Sequence, residues 1–176
     1  MCVNYRKDII IKVLVVLFLA VITAALEVSV FSSLPILGTT PQLLIFLVAA
    51  VAVFEGPTAG VLCGLLAGIF MDGLGAKTLC WYTVASIIAA LVIGVFSPLY
   101  FRRRIPTAMI WGAVFWLLIE FCRFFFSFYL FSEAEFSTVF TLILPQTLYS
   151  MVLSPLVIAP IARMHRKLAQ EPGLFR

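Results

Sequence analysis

Glu27, Asp72, Lys77, Glu120 and Arg123 stand within or at the edge of long apolar runs, and they are the side chains best placed to do chemistry. A carboxylate in apolar surroundings can take up a proton, ligate a cation or accept hydrogen bonds, and a guanidinium can hold an anion or neutralise the carboxylate. Such groups are costly at membrane depth and usually face the protein interior or a wet cavity, so each is a candidate partner or ligand contact. Each also has a plainer role. Glu120 and Arg123 are three residues apart, the spacing of a pair on one helix face. Glu27 lies near a helix end and can snorkel to the interface. Asp72 falls in the last turn of a helix, where its charge opposes the dipole. The offset comes either from an exposed Asp72-Gly73 turn with Lys77 nearby, or from a hydrogen bond to a neighbouring helix end or a partner.

Catalytic constellations are not completed. The only histidine, His165, lies beside Arg166 in a basic C-terminal tail and reads as solvated. Neither a Ser-His mechanism nor a zinc H-E-x-x-H site therefore has a histidine in the apolar body. Asp72-Gly73-Leu74-Gly75-Ala76-Lys77 shares its opening with the D-G-x-x-A-R motif of CDP-alcohol phosphotransferases, but no aspartate follows Asp72, so the further metal-binding carboxylates of that motif are missing. Cys2, Cys63, Cys80 and Cys122 show no C-x-x-C spacing, and thiols in apolar runs pack as small hydrophobes. The expectation is a non-enzymatic protein with no catalytic residue, no metal site and no cofactor.

The elements that must position these residues are membrane helices. Of the 176 residues 64% are hydrophobic and 11% charged, a balance outside the range of soluble domains. No polar stretch is long enough for a second domain, so residues 1–176 form one all-α integral membrane domain. Six apolar segments can be drawn, at about 9–31, 41–54, 57–72, 78–96, 106–131 and 133–162. The first is longer than a signal-peptide core and reads as a retained helix. Thr40-Pro41 and Gly56-Pro57 each set a capping type before a proline at the first helical position. Ser132 and Glu135 form an S-x-x-E capping box, with Phe131 and Phe136 as its hydrophobic staple. The second and third segments reach only about 20 to 25 Å against a hydrocarbon core of about 30 Å, so they are short central helices, either a re-entrant hairpin or two short spans. Pro145, Pro155 and Pro160 predict a kinked final helix.

The third segment carries a second pattern. Gly56, Gly60, Gly64 and Gly68 recur every fourth residue, and the same spacing ends on Asp72. On a helix these residues make one bare stripe, which lets another helix approach almost to backbone contact. Glycine costs a helix roughly 1 kcal/mol relative to alanine, so the pattern makes sense where close packing decides stability.

Lysine and arginine placement sets the orientation. Arg6, Lys7 and Lys12, then Arg102 to Arg104, then Arg163, Arg166, Lys167 and Arg176 belong on the cytoplasmic side, which puts both termini inside. The basic flanks explain the net charge of +4 without nucleic acid and suit contact with anionic membrane lipid. Glu27, Asp72, Lys77, Glu120 and Arg123 then gather toward the outer half. Trp81, Tyr82 and the phenylalanines from Phe121 to Phe131 read as lipid-facing packing and an outer aromatic belt.

Pro41-Gln42-Leu43-Leu44 opening a short apolar helix, then Gly56-Pro57, then the G-x-x-x-G-x-x-x-G-x-x-x-D run to Asp72, resemble the MreD family of small rod shape-determining membrane proteins of bacteria. The family often has an acidic residue after the first proline, where this chain has Gln42. The resemblance implies a non-enzymatic component of the cell-elongation machinery in the cell (inner) membrane, serving peptidoglycan synthesis. It would bind the bitopic protein MreC and associate with MreB, the glycosyltransferase RodA and its transpeptidase partner. It also implies a fold like the S components of vitamin transporters, so small-molecule transport is the competing function.

Overall fold

The computed structural model describes residues 2–31, 40–74, 80–100, 105–131 and 143–169, with side chains placed over 13–29, 40–73, 80–97, 105–126 and 143–166. All regular structure among these residues is helical. The helices are α1 (Cys2–Leu26), continued by a π-helical turn Glu27–Phe31, α2 (Leu44–Glu55), α3 (Pro57–Leu74), α4 (Trp81–Tyr100), α5 (Ile105–Phe131) and α6 (Leu144–Ala169).

The architecture is organised around α2. This helix has no polar side chain before Glu55, and from Leu44 to Phe54 no residue is more than 3% exposed. A helix that is apolar all round is stable only if covered all round, and α1, α3, α4, α5 and α6 all pack on it. Those outer helices turn apolar side chains outward as well. Phe18, Leu62, Ile88, Phe125 and Val152 are among the exposed ones. A dry centre inside an apolar exterior is the pattern expected where the surroundings are lipid. Among the residues with described side chains two stretches, Ile105–Phe126 and Leu144–Arg166, are long and apolar enough by themselves to cross a membrane; the other apolar stretches there are shorter.

The predicted boundary at Gly56-Pro57 matches the structure. Gly56 has φ +97°, a conformation that disfavours L side chains, its carbonyl accepts from the Gly60 amide at 3.0 Å, and Pro57 opens α3. Gly56 is thus a turn glycine; a Cβ there would meet nothing within 4 Å, which corrects its assignment to the packing stripe. Gly60 differs, since a Cβ would lie 2.7 Å from that of Ala52 in α2. At Gly64 it would lie 2.8 Å from the Ser86 carbonyl oxygen, and at Gly68 it would collide with the backbone of Thr83, both in α4.

The predicted start at Pro41 is corrected, because α2 begins at Leu44 with Leu43 as its N-cap, and Leu43 makes no side-chain cap of its own. The capping box at Ser132 and Glu135 lies outside the described residues, as does Phe136 of its staple.

Proline inside α6 is accommodated locally. Pro155 has no amide hydrogen to give to the carbonyl four residues back, and the Ser154 hydroxyl donates to that Met151 carbonyl at 2.8 Å instead.

Candidate functional site

Helix directions alternate, so one end of the bundle collects the C-terminal ends of α1, α3 and α5 with the N-terminal ends of α2, α4 and α6. Hydrogen bonds join those ends pairwise. Glu27, Asp72, Glu120 and Arg123 all lie here, but not in one cluster. Each carboxylate has its own set of partners.

Glu27 sits in the π-helical turn after α1 and aims at the start of α2. Its Oε1 accepts from the Leu43 amide and, at 2.7 Å, from the Leu44 amide. The first amides of a helix lack internal partners and carry the positive end of its dipole, so a carboxylate there is favoured twice. This corrects the reading of Glu27 as a snorkelling side chain. It also explains the missing cap on α2, which is supplied from sixteen residues earlier. The same end is tied to α6: the Gln42 amide donates to Ser150 Oγ at 2.9 Å, and Gln146 Nε2 donates to the Thr40 carbonyl at 2.9 Å.

Asp72 repeats the arrangement on α4. Its Oδ1 accepts from the Tyr82 amide at 3.1 Å, and its Oδ2 accepts from the Thr83 amide at 2.9 Å and the Thr83 hydroxyl at 2.5 Å. The unfavourable end of its own helix is offset by the favourable end of the next. Of the sequence alternatives, the neighbouring helix end is the partner the structure shows. Cys80, at φ +50°, precedes that helix.

Glu120 is 2% exposed on α5. Oε1 accepts from the Tyr82 hydroxyl at 2.7 Å, and Oε2 accepts from Arg123 Nε at 3.0 Å and Nη2 at 2.6 Å. The i, i+3 ion pair is therefore formed, with Arg123 side chain 43% exposed and Glu120 covered. Tyr82 was placed in the outer belt by sequence; it instead turns inward, stacking on Trp116 with ring centroids 6.2 Å apart. Trp81 packs edge-on against Phe126. The signal for Tyr82 was its hydroxyl one position after the start of α4, ten residues after Asp72.

His165 belongs to the opposite end. It is not in a solvated tail: α6 runs through it to Ala169, and its Nδ1 lies 3.3 Å from Glu55 Oε1, with its ring against Phe54. Among the described residues no group of three or more His, Cys, Asp or Glu side chains is arranged to hold a metal ion.

A helical bundle with an apolar exterior, whose buried carboxylates are engaged with helix ends and a cation, is built as a membrane protein of packed helices. Residues 7–168 match the family model of the rod shape-determining protein MreD, and the chain belongs to that family. It is a membrane protein with a role in determining rod shape. No curated protein and no solved structure matches the chain significantly.

Proposed function

We propose that this MreD-family chain is a non-enzymatic scaffold of the bacterial elongation machinery, acting in peptidoglycan synthesis by holding the single transmembrane helix of MreC beside MreB, RodA and its transpeptidase partner. In this reading the chain is one multi-pass domain of the cell membrane, an S-component-like six-helix bundle with two short helices, an even number of crossings and both termini cytoplasmic. The observation that carries the reading is the use of Glu27, Asp72 and Glu120. Each accepts a hydrogen bond from a protein donor on another helix, Leu44, Thr83 and the Tyr82 hydroxyl in turn, which is what a rigid docking body requires. Gly60, Gly64 and Gly68 serve the same end by bringing α2 and α4 close to α3. Arg123, half exposed beside Phe126 and anchored by a covered carboxylate, is the member best placed to touch a partner.

The test is purification of the intact chain from a rod-shaped bacterium that lacks its own copy, with mass spectrometry of everything bound. Stoichiometric MreC, together with restored rod shape, supports scaffolding. A small molecule that survives purification without MreC supports the transport alternative and overturns the proposal.

A further inference from the structure

The lipid-facing side of α6 ends in two arginines. Leu144, Leu148, Val152 and Leu156 are exposed at every fourth position. Arg163 and Arg166 are exposed too, and at 3.6 residues per turn Arg163 falls in line with Val152 and Leu156, and Arg166 with Leu148. The buried face, with Ser150, Ser154 and Ile158, lies on the other side. From Leu144 to Arg163 the helix rises about 28 Å at about 1.5 Å per residue, close to the hydrocarbon thickness of about 30 Å. A stripe that stays apolar over that length and then turns cationic fits one occupant, a lipid of the nearer leaflet whose chains lie along Leu156 and Val152 and whose headgroup meets the guanidiniums.

We infer that Arg163 and Arg166 clamp the phosphate of an anionic membrane lipid at the end of α6. Residues three apart on a helix are neighbours, and guanidinium forks match phosphate oxygens in paired hydrogen bonds. The last turn is also held in place. His165 points to the buried side and contacts Glu55 and Phe54 at the end of α2, so the arginines at either side of it are presented from a fixed helix. The inference rests on α6 crossing the membrane, as in the proposed function.

The full-length protein, purified in mild detergent, is offered phosphatidylglycerol or phosphatidylcholine, and retained lipid is counted by native mass spectrometry. Wild type keeps phosphatidylglycerol in preference. Taking about fivefold per basic residue near an anionic surface, Arg163→Gln with Arg166→Gln lowers retention about 25-fold. Arg163→Lys with Arg166→Lys keeps the charge and loses the fork, so it retains an intermediate amount. Full retention by the glutamine pair overturns the site, and so does equality of the lysine pair with wild type, which means diffuse attraction only. Displacement by inorganic phosphate in excess would overturn the lipid as occupant. The readout is bound lipid and not cell shape, so this result and the scaffold test fail independently.

Discussion

Asp72 closes α3 where its own helix dipole repels it and is kept there by the amides that open α4. Both carboxylate oxygens accept, and that decides which substitute is tolerated. By shape alone asparagine is the natural replacement, but an amide has one accepting oxygen and would set its NH2 against an amide N–H of α4. Asp72→Asn is therefore expected to lose about 1 to 2 kcal/mol of stability, within the range for a lost cap. Asp72→Leu, which leaves both amides and the Thr83 hydroxyl without an acceptor, is expected to lose about 2 to 3 kcal/mol. Unfolding in detergent, followed by circular dichroism, measures both. An asparagine variant as stable as wild type would show that only one oxygen matters. The sequence exposed the need for an offset at Asp72 because the conflict with the dipole is local. It did not expose the role of Glu27, because the amides that Glu27 caps are brought to it only by the fold.

Element boundaries divide along the same line. The end of α2 and the start of α3 are written in Gly56 and Pro57 themselves, a positive φ followed by a residue without an amide hydrogen, and they were legible. The start of α2 is not written beside it, and Thr40-Pro41 proved misleading because Glu27 and Ser150 provide the hydrogen bonds that Thr40 was expected to supply. That α6 has to accommodate prolines was legible; the means of tolerating Pro155 was not. Ser154 is fully buried and its hydroxyl donates to the carbonyl that Pro155 leaves without a partner. Ser154→Ala should then cost about 1 to 3 kcal/mol, the penalty for a buried unpaired acceptor. Adding Pro155→Ala, which restores an amide hydrogen at that position, should recover most of the loss. A double-mutant cycle on thermal unfolding reads the coupling, and strict additivity of the two changes would disprove this account of how Pro155 is tolerated.

For the whole molecule, the placement of arginine and lysine predicts an orientation for helices that alternate in direction. Reporter fusions at Arg176 and within residues 32–39 should report opposite sides, with the C-terminal fusion active only in the cytoplasm. Activity of the Arg176 fusion outside the cell would invert the bundle. The composition made the membrane class evident, and the glycine stripe made close packing evident. Both short helices were expected at the centre, and only α2 is enclosed there: α3 leaves Leu62, Leu65 and Ile69 exposed.

That central place also constrains the order in which the protein can be made. Synthesis delivers α2 second and α6 last, yet α6 covers α2 and holds its start through Ser150 and Gln146. Until the ribosome has finished the final helix, the most apolar segment of the chain has an open flank and the Gln42 amide has no hydroxyl to bond. Maturation of the bundle therefore waits on its last helix, and a nascent chain halted after α5 would present quality-control proteases with a greasy, half-wrapped core.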